Sequence, residues 1–202
     1  MSCLIAIVGG SGAGKSWLAE RLQGELGELA GRIALDDFYR DGTPLPEARR
    51  ARRNFDHPLA IDWKRFGEVL DDLSHDREAA VPQYDFTTHC RRPDPVVVRP
   101  RPVMLIEGLL VLHRPSLRRR FSLGIFVDCP ARQRLARRLA RDVLQRGRSA
   151  ISVREQFHRQ VQPMHARFVA PQRRLAEALV RSPVTADQVH RLASRIRDLA
   201  GH

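Results

Sequence analysis

The chain has 202 residues, 43% of them apolar, which is enough for one substantial core and short of what two full-sized domains need. Apolar runs on the scale of Leu4 to Val8 fall far below the roughly 18 residues that a bilayer span demands, so no membrane partner is expected. A formal charge of +12 would suit nucleic-acid binding, yet only Lys15 and Lys64 among the 35 cations are lysines; such an arginine excess reads as compositional bias across the whole surface, and no nucleic-acid partner is expected.

Leu4 to Val8 is a continuous apolar run bounded by glycine, the pattern of a strand buried on both faces of a parallel sheet, and is predicted to be the central strand. Trp17 to Leu29 has helical spacing, and Arg32 to Leu35 reads as a short strand ending in Asp36-Asp37. Asp41 to Asn54, with two prolines and four arginines, is loop-like, and Ile61 to Leu73 is an amphipathic helix. Val81 to Phe86 and Val96 to Val98 are predicted to pair as an excursion hairpin over about residues 81–99. Val103 to Ile106 is a third sheet strand ending in Glu107-Gly108, and Leu123 to Val127 a fourth ending in Asp128. Ala131 to Gln145 reads as a helix with arginines on its exposed face, and Ser152 to Phe168 as a helix that Pro163 kinks or ends. Ala176 to Val180 makes a last short strand, and a closing helix runs from Ala186 to Leu199. Strands alternating with helices imply an α/β fold of parallel βαβ units in one domain over residues 1–202, with the ligand crevice at the carboxyl ends of the strands.

Gly9-Gly10-Ser11-Gly12-Ala13-Gly14-Lys15-Ser16 satisfies GxxxxGK[ST] between the first strand and the first helix, the context this motif requires. Its glycines let backbone amides turn toward phosphate oxygens, and the helix that follows adds the positive end of its dipole. Lys15 is expected to neutralise β and γ phosphates and Ser16 to ligate magnesium, which makes ATP or GTP with Mg2+ the expected cofactors. In a chain that places arginine almost everywhere, a lysine here implies that a compact ammonium is required. The motif specifies a nucleotide and leaves the reaction open. Asp36-Asp37 lies where a carboxylate can face the γ-phosphate and deprotonate a hydroxyl acceptor, with only one of the pair reaching the reacting oxygen; an acidic pair at a strand end also serves simply to cap a loop.

The phosphate loop, Leu35-Asp36-Asp37-Phe38-Tyr39-Arg40, Asn54-Phe55-Asp56-His57-Pro58, Tyr84-Asp85-Phe86-Thr87-Thr88-His89, Ile106-Glu107-Gly108, Phe126-Val127-Asp128 and Arg146-Gly147-Arg148 occur in series. In order and spacing they resemble the uridine kinase (uridine-cytidine kinase) family of P-loop kinases, relatives of the phosphoribulokinases, from about Leu4 to Val180. The resemblance implies a P-loop NTPase-type parallel sheet with helices on both faces, a β-hairpin excursion, and a helical lid over about residues 138–156. It implies transfer of the γ-phosphoryl of ATP or GTP to the 5′-hydroxyl of uridine or cytidine, giving UMP or CMP in pyrimidine salvage.

Residue by residue, it implies Asp36 as general base, with Lys15, Arg146 and Arg148 acting on the transferred group and Arg141 joining the loop residues Gly9 to Ser16 at the triphosphate. Glu107 would hold magnesium together with Ser16 and Asp36. Asp56 would accept the vicinal ribose hydroxyls with Arg138 beside it, Phe55 and Phe86 would wall the base, and Tyr84 and His89 would read its edge. Gln156 and Arg148 complete the acceptor side. Asp37 stands where many relatives have serine, and after Val180 the likeness fades at Arg181-Ser182-Pro183-Val184.

A kinase of another small alcohol (nicotinamide riboside, pantothenate, a sugar phosphate) is the near alternative, and a nucleotide-dependent nucleic-acid-binding switch the distant one. Relatives are often tetramers, so a homo-oligomer is in keeping with the resemblance. Cys3, Cys90 and Cys129 are scattered without metal-type spacing, and Met1 is followed at once by the first strand, so a cytoplasmic location is expected.

Overall fold

The computed structural model describes residues 1–50 and 52–201, and for Gln145 and Arg146 the backbone alone. In chain order, β1 (Cys3–Gly9) leads through α1 (Lys15–Leu26) to β2 (Ala30–Ala34). The short α2 (Glu47–Arg50) and α3 (Trp63–Ser74) precede four small strands, β3 (Ala79–Val81), β4 (Tyr84–Asp85), β5 (Cys90–Arg91) and β6 (Val96–Val98). Then come β7 (Val103–Gly108), α4 (Pro115–Arg118), β8 (Leu123–Asp128) and α5 (Ala131–Arg146). A helical stretch containing α6 (Ala150–Gln156) and α7 (Gln162–Met164) leads to β9 (Ala178–Arg181) and α8 (Ala186–Ala200).

Five strands form one sheet in the order β2-β7-β1-β8-β9, with every pairing parallel and β1 at the centre. Side chains alternate between two cores. Leu4, Ala6 and Val8 pack with Ile106, Phe66 and Leu70 on one face, while Ile5 and Ile7 pack with Leu105, Leu18, Leu22 and Ile196 on the other. Because both faces are covered, the strand reads as an unbroken apolar run instead of an alternating one. The sheet order also matters for chemistry: β7 separates β1 from β2, and this reversal opens a crevice at the carboxyl end of β1.

Several elements differ from their sequence-based expectation. α1 starts at Lys15, inside the phosphate-loop motif, two residues before the expected start. β2 stops at Ala34, and Asp36 and Asp37 lie in a 3₁₀ turn over Leu35–Phe38, where strand alternation no longer applies. The excursion is two small antiparallel ribbons, β3 with β6 and β4 with β5. Pro82 on the way out and Pro93 and Pro95 on the way back lack the N–H groups that would continue one ladder between them.

The expectation of exposed arginines on α5 fails for Arg134, which is 2% exposed; Arg138, expected beside Asp56, is 8% exposed. Both turn inward because this helix packs over the phosphate loop: Arg138 donates to the Ser11 hydroxyl of that loop, and Arg134, lying against Gly10, donates to the Cys129 carbonyl and the Gln162 side-chain oxygen. Pro163 neither ends nor sharply breaks its helix. The chain widens into π-helical turns at Phe157–Val161 and His165–Val169, on either side of α7, which accommodates the missing N–H of the proline. Among the described residues no helix is long and apolar enough to cross a membrane.

Candidate active site

β1 delivers the phosphate loop to the centre of the crevice. Within the loop, the Ala13 N–H donates to the Gly10 carbonyl at 2.9 Å, and the Lys15 ammonium reaches back toward the same oxygen at 3.4 Å. Gly12 and Gly14 have φ of +79° and +100°, and a Cβ on Gly12 would lie 2.5 Å from the Arg134 carbonyl oxygen, so α5 can close on the loop only over glycine.

Strand register then gathers the acids. Glu107 lies opposite Ile7 of β1 and Ala34 of β2, which puts it beside the first turn of α1, where the Ser16 hydroxyl donates to its Oε1 at 2.7 Å. Two residues beyond β2, Asp36 keeps an edge on the crevice but is otherwise surrounded by protein. Burial first, and the Glu107 charge second, push its carboxyl up to about 6, while Lys15 pulls the other way. Asp37 is also raised, chiefly by burial, with the Tyr84 amide opposing, and it faces away from the cavity.

A hydroxyl beside two mutually repelling carboxylates is a hard-oxygen set that suits magnesium. No trio of carboxylate, histidine or cysteine groups gathers as a metal site among the described residues.

Across the crevice lies an aromatic wall. Tyr39, largely buried, stands at its centre with Phe55 and Phe86 edge-on at 5.1 and 6.4 Å, and Tyr84 edge-on behind at 5.3 Å. The His89 ring lies over Phe55 at 5.0 Å, 24° from parallel, and its φ of +57° belongs to the tight tip between β4 and β5. Asp56 is presented by a short loop that Asn54 ties down: the Asp56 amide donates to the Asn54 side-chain oxygen at 3.1 Å, and Gln160 donates to the same atom at 2.9 Å. Burial raises the Asp56 carboxyl and Arg138 chiefly opposes it.

The lid closes the third side. Arg138 donates to the Ser11 hydroxyl at 2.9 Å and to the Gln156 side-chain oxygen at 2.8 Å, and Arg148 donates to that same oxygen at 2.7 Å.

These parts line one cavity of about 710 Å³. It brings together Ser11, Gly12, Gly14, Lys15 and Ser16 with Asp36, Phe55, Asp56, Phe86, His89, Glu107, Arg138, Arg141, Arg148 and Gln156. Of the sequence-predicted residues, Gly9, Gly10 and Ala13 form the back of the loop, and Tyr84 stands behind the aromatic wall, its hydroxyl buried and pushed up to about 12 by burial. The Arg146 side chain lies outside the described residues.

The profile of the Phosphoribulokinase / Uridine kinase family matches residues 4–188. The chain belongs to this family. It is 41% identical to a uridine kinase of Chloroflexus aurantiacus over 191 residues, 92% of this chain and 91% of that one. With a uridine kinase of Halobacterium salinarum it shares 36% over 196 residues, 97% and 87% of the two chains. The phosphoribulokinase of Rhodobacter spheroides superposes with a TM-score of 0.66 at 16% identity, covering 89% of this chain and 70% of that one, a likeness of fold alone.

Within this family framework, several cavity residues escaped the sequence reading. Tyr39 and Thr87 were inside quoted motifs but without a role, and Trp17 and Arg137 carried no signal beyond their position next to the loop and on the lid helix. Arg137 donates to the Ser182 hydroxyl at 2.7 Å and to the Ala13 carbonyl at 3.2 Å, tying the loop to the turn after β9. There a second cavity of about 380 Å³ opens against the first, lined by Gly14, Trp17, Arg137, Ser182, Pro183 and Val184. Asp142, fully buried on α5, was also missed; its i,i+4 spacing from Arg138 was the available signal.

Proposed function

We propose that this chain transfers the terminal phosphoryl group of magnesium-bound ATP or GTP to the 5′-hydroxyl of uridine or cytidine, as one kinase domain whose excursion and lid frame the acceptor. The observation that carries the reading is the single cavity, which runs without a break from Lys15 and Ser16 to the Phe55 and His89 stack.

At the donor end, loop amides and Lys15 would hold the β and γ phosphates, and the Ser16 hydroxyl with the Glu107 carboxylate would hold a magnesium ion. That ion, when bound, would neutralise charge on the phosphates. At the acceptor end Asp56 accepts the two ribose hydroxyls, with Arg138 balancing its charge. Phe55, Phe86 and His89 flank a planar base, with Tyr84 backing them.

Asp36, raised to about 6, is largely ionised at neutral pH and still basic enough to take the 5′-hydroxyl proton. As that proton passes to Asp36, the 5′-oxygen bonds to the γ-phosphorus, the bond to the β–γ bridging oxygen breaks, and the nucleoside diphosphate leaves. Arg141 and Arg148 stabilise charge on the transferred group and help exclude water. The second cavity suits the donor purine: it is walled by Trp17, Pro183 and Val184, with few polar groups to separate adenine from guanine. Free thiols at Cys3, Cys90 and Cys129 support a reducing cytoplasm, where such an enzyme would serve pyrimidine salvage.

Incubating the protein with γ-labelled ATP and a panel of uridine, cytidine, nicotinamide riboside, pantothenate and ribulose 5-phosphate tests this directly. Labelled UMP and CMP are expected. Label on another alcohol, or on none, would overturn the reading.

A further inference from the structure

We infer that Asp142 is the positioning residue of the lid, a buried carboxylate that aims three arginines at the cavity. The inference deepens the proposed phosphoryl-transfer reading and rests on it. Asp142 has no exposed surface and sits on a helix otherwise crowded with cations. Its Oδ1 accepts from Arg141 Nε at 2.9 Å, and its Oδ2 pairs with Arg138 Nε at 3.4 Å and with Arg148 Nη1 at 3.8 Å. Its backbone carbonyl accepts from the Arg148 amide at 3.1 Å, so one residue holds both the side chain and the main chain of the turn that ends α5.

A guanidinium presents its donors along fixed edges. With the Nε edges of Arg138 and Arg141 turned to Asp142, their terminal nitrogens face outward. Those of Arg138 reach Ser11 on the phosphate loop and Gln156 on the acceptor side. Arg148 meets the same Gln156 oxygen. Three cations converging on one cavity repel each other, and a central carboxylate both offsets that repulsion and selects which N–H groups are left for the substrate. The donor and acceptor halves are thereby joined through Arg138, whose third edge rests on Asp142.

The test uses Asp142→Asn, which keeps size and removes charge, and Asp142→Glu, which keeps charge and moves it by one methylene. Both should lower kcat about 10- to 100-fold while the uridine KM stays within about threefold. Arg148→Gln, costly in the parent, should cost less than about threefold when added to Asp142→Asn. Independently of any acceptor, calorimetric affinity for AMP-PNP relative to ADP should fall about tenfold in Asp142→Asn.

If Asp142→Asn unfolds, Asp142→Glu with unchanged kcat overturns the inference, as does full additivity with Arg148→Gln or an unchanged AMP-PNP to ADP ratio. A parent enzyme that phosphorylates no nucleoside, combined with the expected shift in that ratio, would sink the acceptor reading and leave the lid assignment standing. An active parent with an unaffected Asp142→Asn variant would do the reverse.

Discussion

Asp36 and Asp37 are adjacent in sequence and separated in chemistry by a single 3₁₀ turn. The first borders the cavity among Glu107, Lys15 and Asp56, and the second faces away from it toward the Tyr84 amide. Asp36→Asn should therefore lower kcat by two to four powers of ten, the range that one proton acceptor contributes, while nucleotide binding persists; Asp37→Asn should do much less. Stopped assays on both variants, with nucleotide affinity measured beside them, check this.

The raised Asp36 carboxyl also makes a prediction for stability in the nucleotide-free and metal-free protein. A folded-state value of about 6 against an ordinary 3.8 means that the native state binds the proton more tightly. Its contribution to stability is fully present below pH ~3.8 and is lost as pH rises through ~6. Asp36→Asn, permanently neutral, should melt higher than the parent at pH 7.5, with the gap closing toward pH 4. Thermal midpoints across that range decide it, and a gap independent of pH would contradict the assignment of the shift to Asp36.

At the scale of elements, Arg91 ties the excursion to the segment between β2 and α3. Arg91 on β5 donates to the Tyr39 carbonyl at 2.8 Å and pairs with Asp62 at 3.1 Å, while its own amide donates to Asp41 at 3.0 Å. Asp62 in turn caps α3 by accepting from the Arg65 amide at 3.1 Å. The aromatic wall thus depends on a tether between β5 and the start of α3. Arg91→Ala should raise the nucleoside KM about tenfold and leave the donor KM unchanged, because the phosphate loop belongs to a different element; steady-state kinetics with each substrate varied in turn separates the two. The hairpin was visible in the sequence as two β-rich runs. Its division into two ribbons was not, because that depends on where prolines interrupt a ladder whose register only pairing reveals.

At the scale of the molecule, β1 carries both cores, one on each face of the sheet. Ile7 is completely buried on the face shared with α1 and α8. Ile7→Ala should destabilise the protein by about 2–5 kcal/mol through lost burial and the cavity left behind, as chemical denaturation would register. It should change kcat per folded molecule little, since Ile7 points away from the crevice.

The sequence by itself determined the central strand, the phosphate loop, the βαβ alternation and the family, because each is written in neighbouring residues: an apolar run, glycines at fixed offsets, a short motif. It also named most of the residues that line the cavity. Tertiary structure alone decided that Arg134 turns inward, that Asp142 sits beneath three guanidiniums, that Tyr84 stands behind the wall, and that Trp17 and Arg137 border a second cavity. The physical reason is that a charged side chain on a helix looks solvated in one dimension. Whether it is buried is settled by the partner that covers it, and here that partner is a loop more than a hundred residues away along the chain.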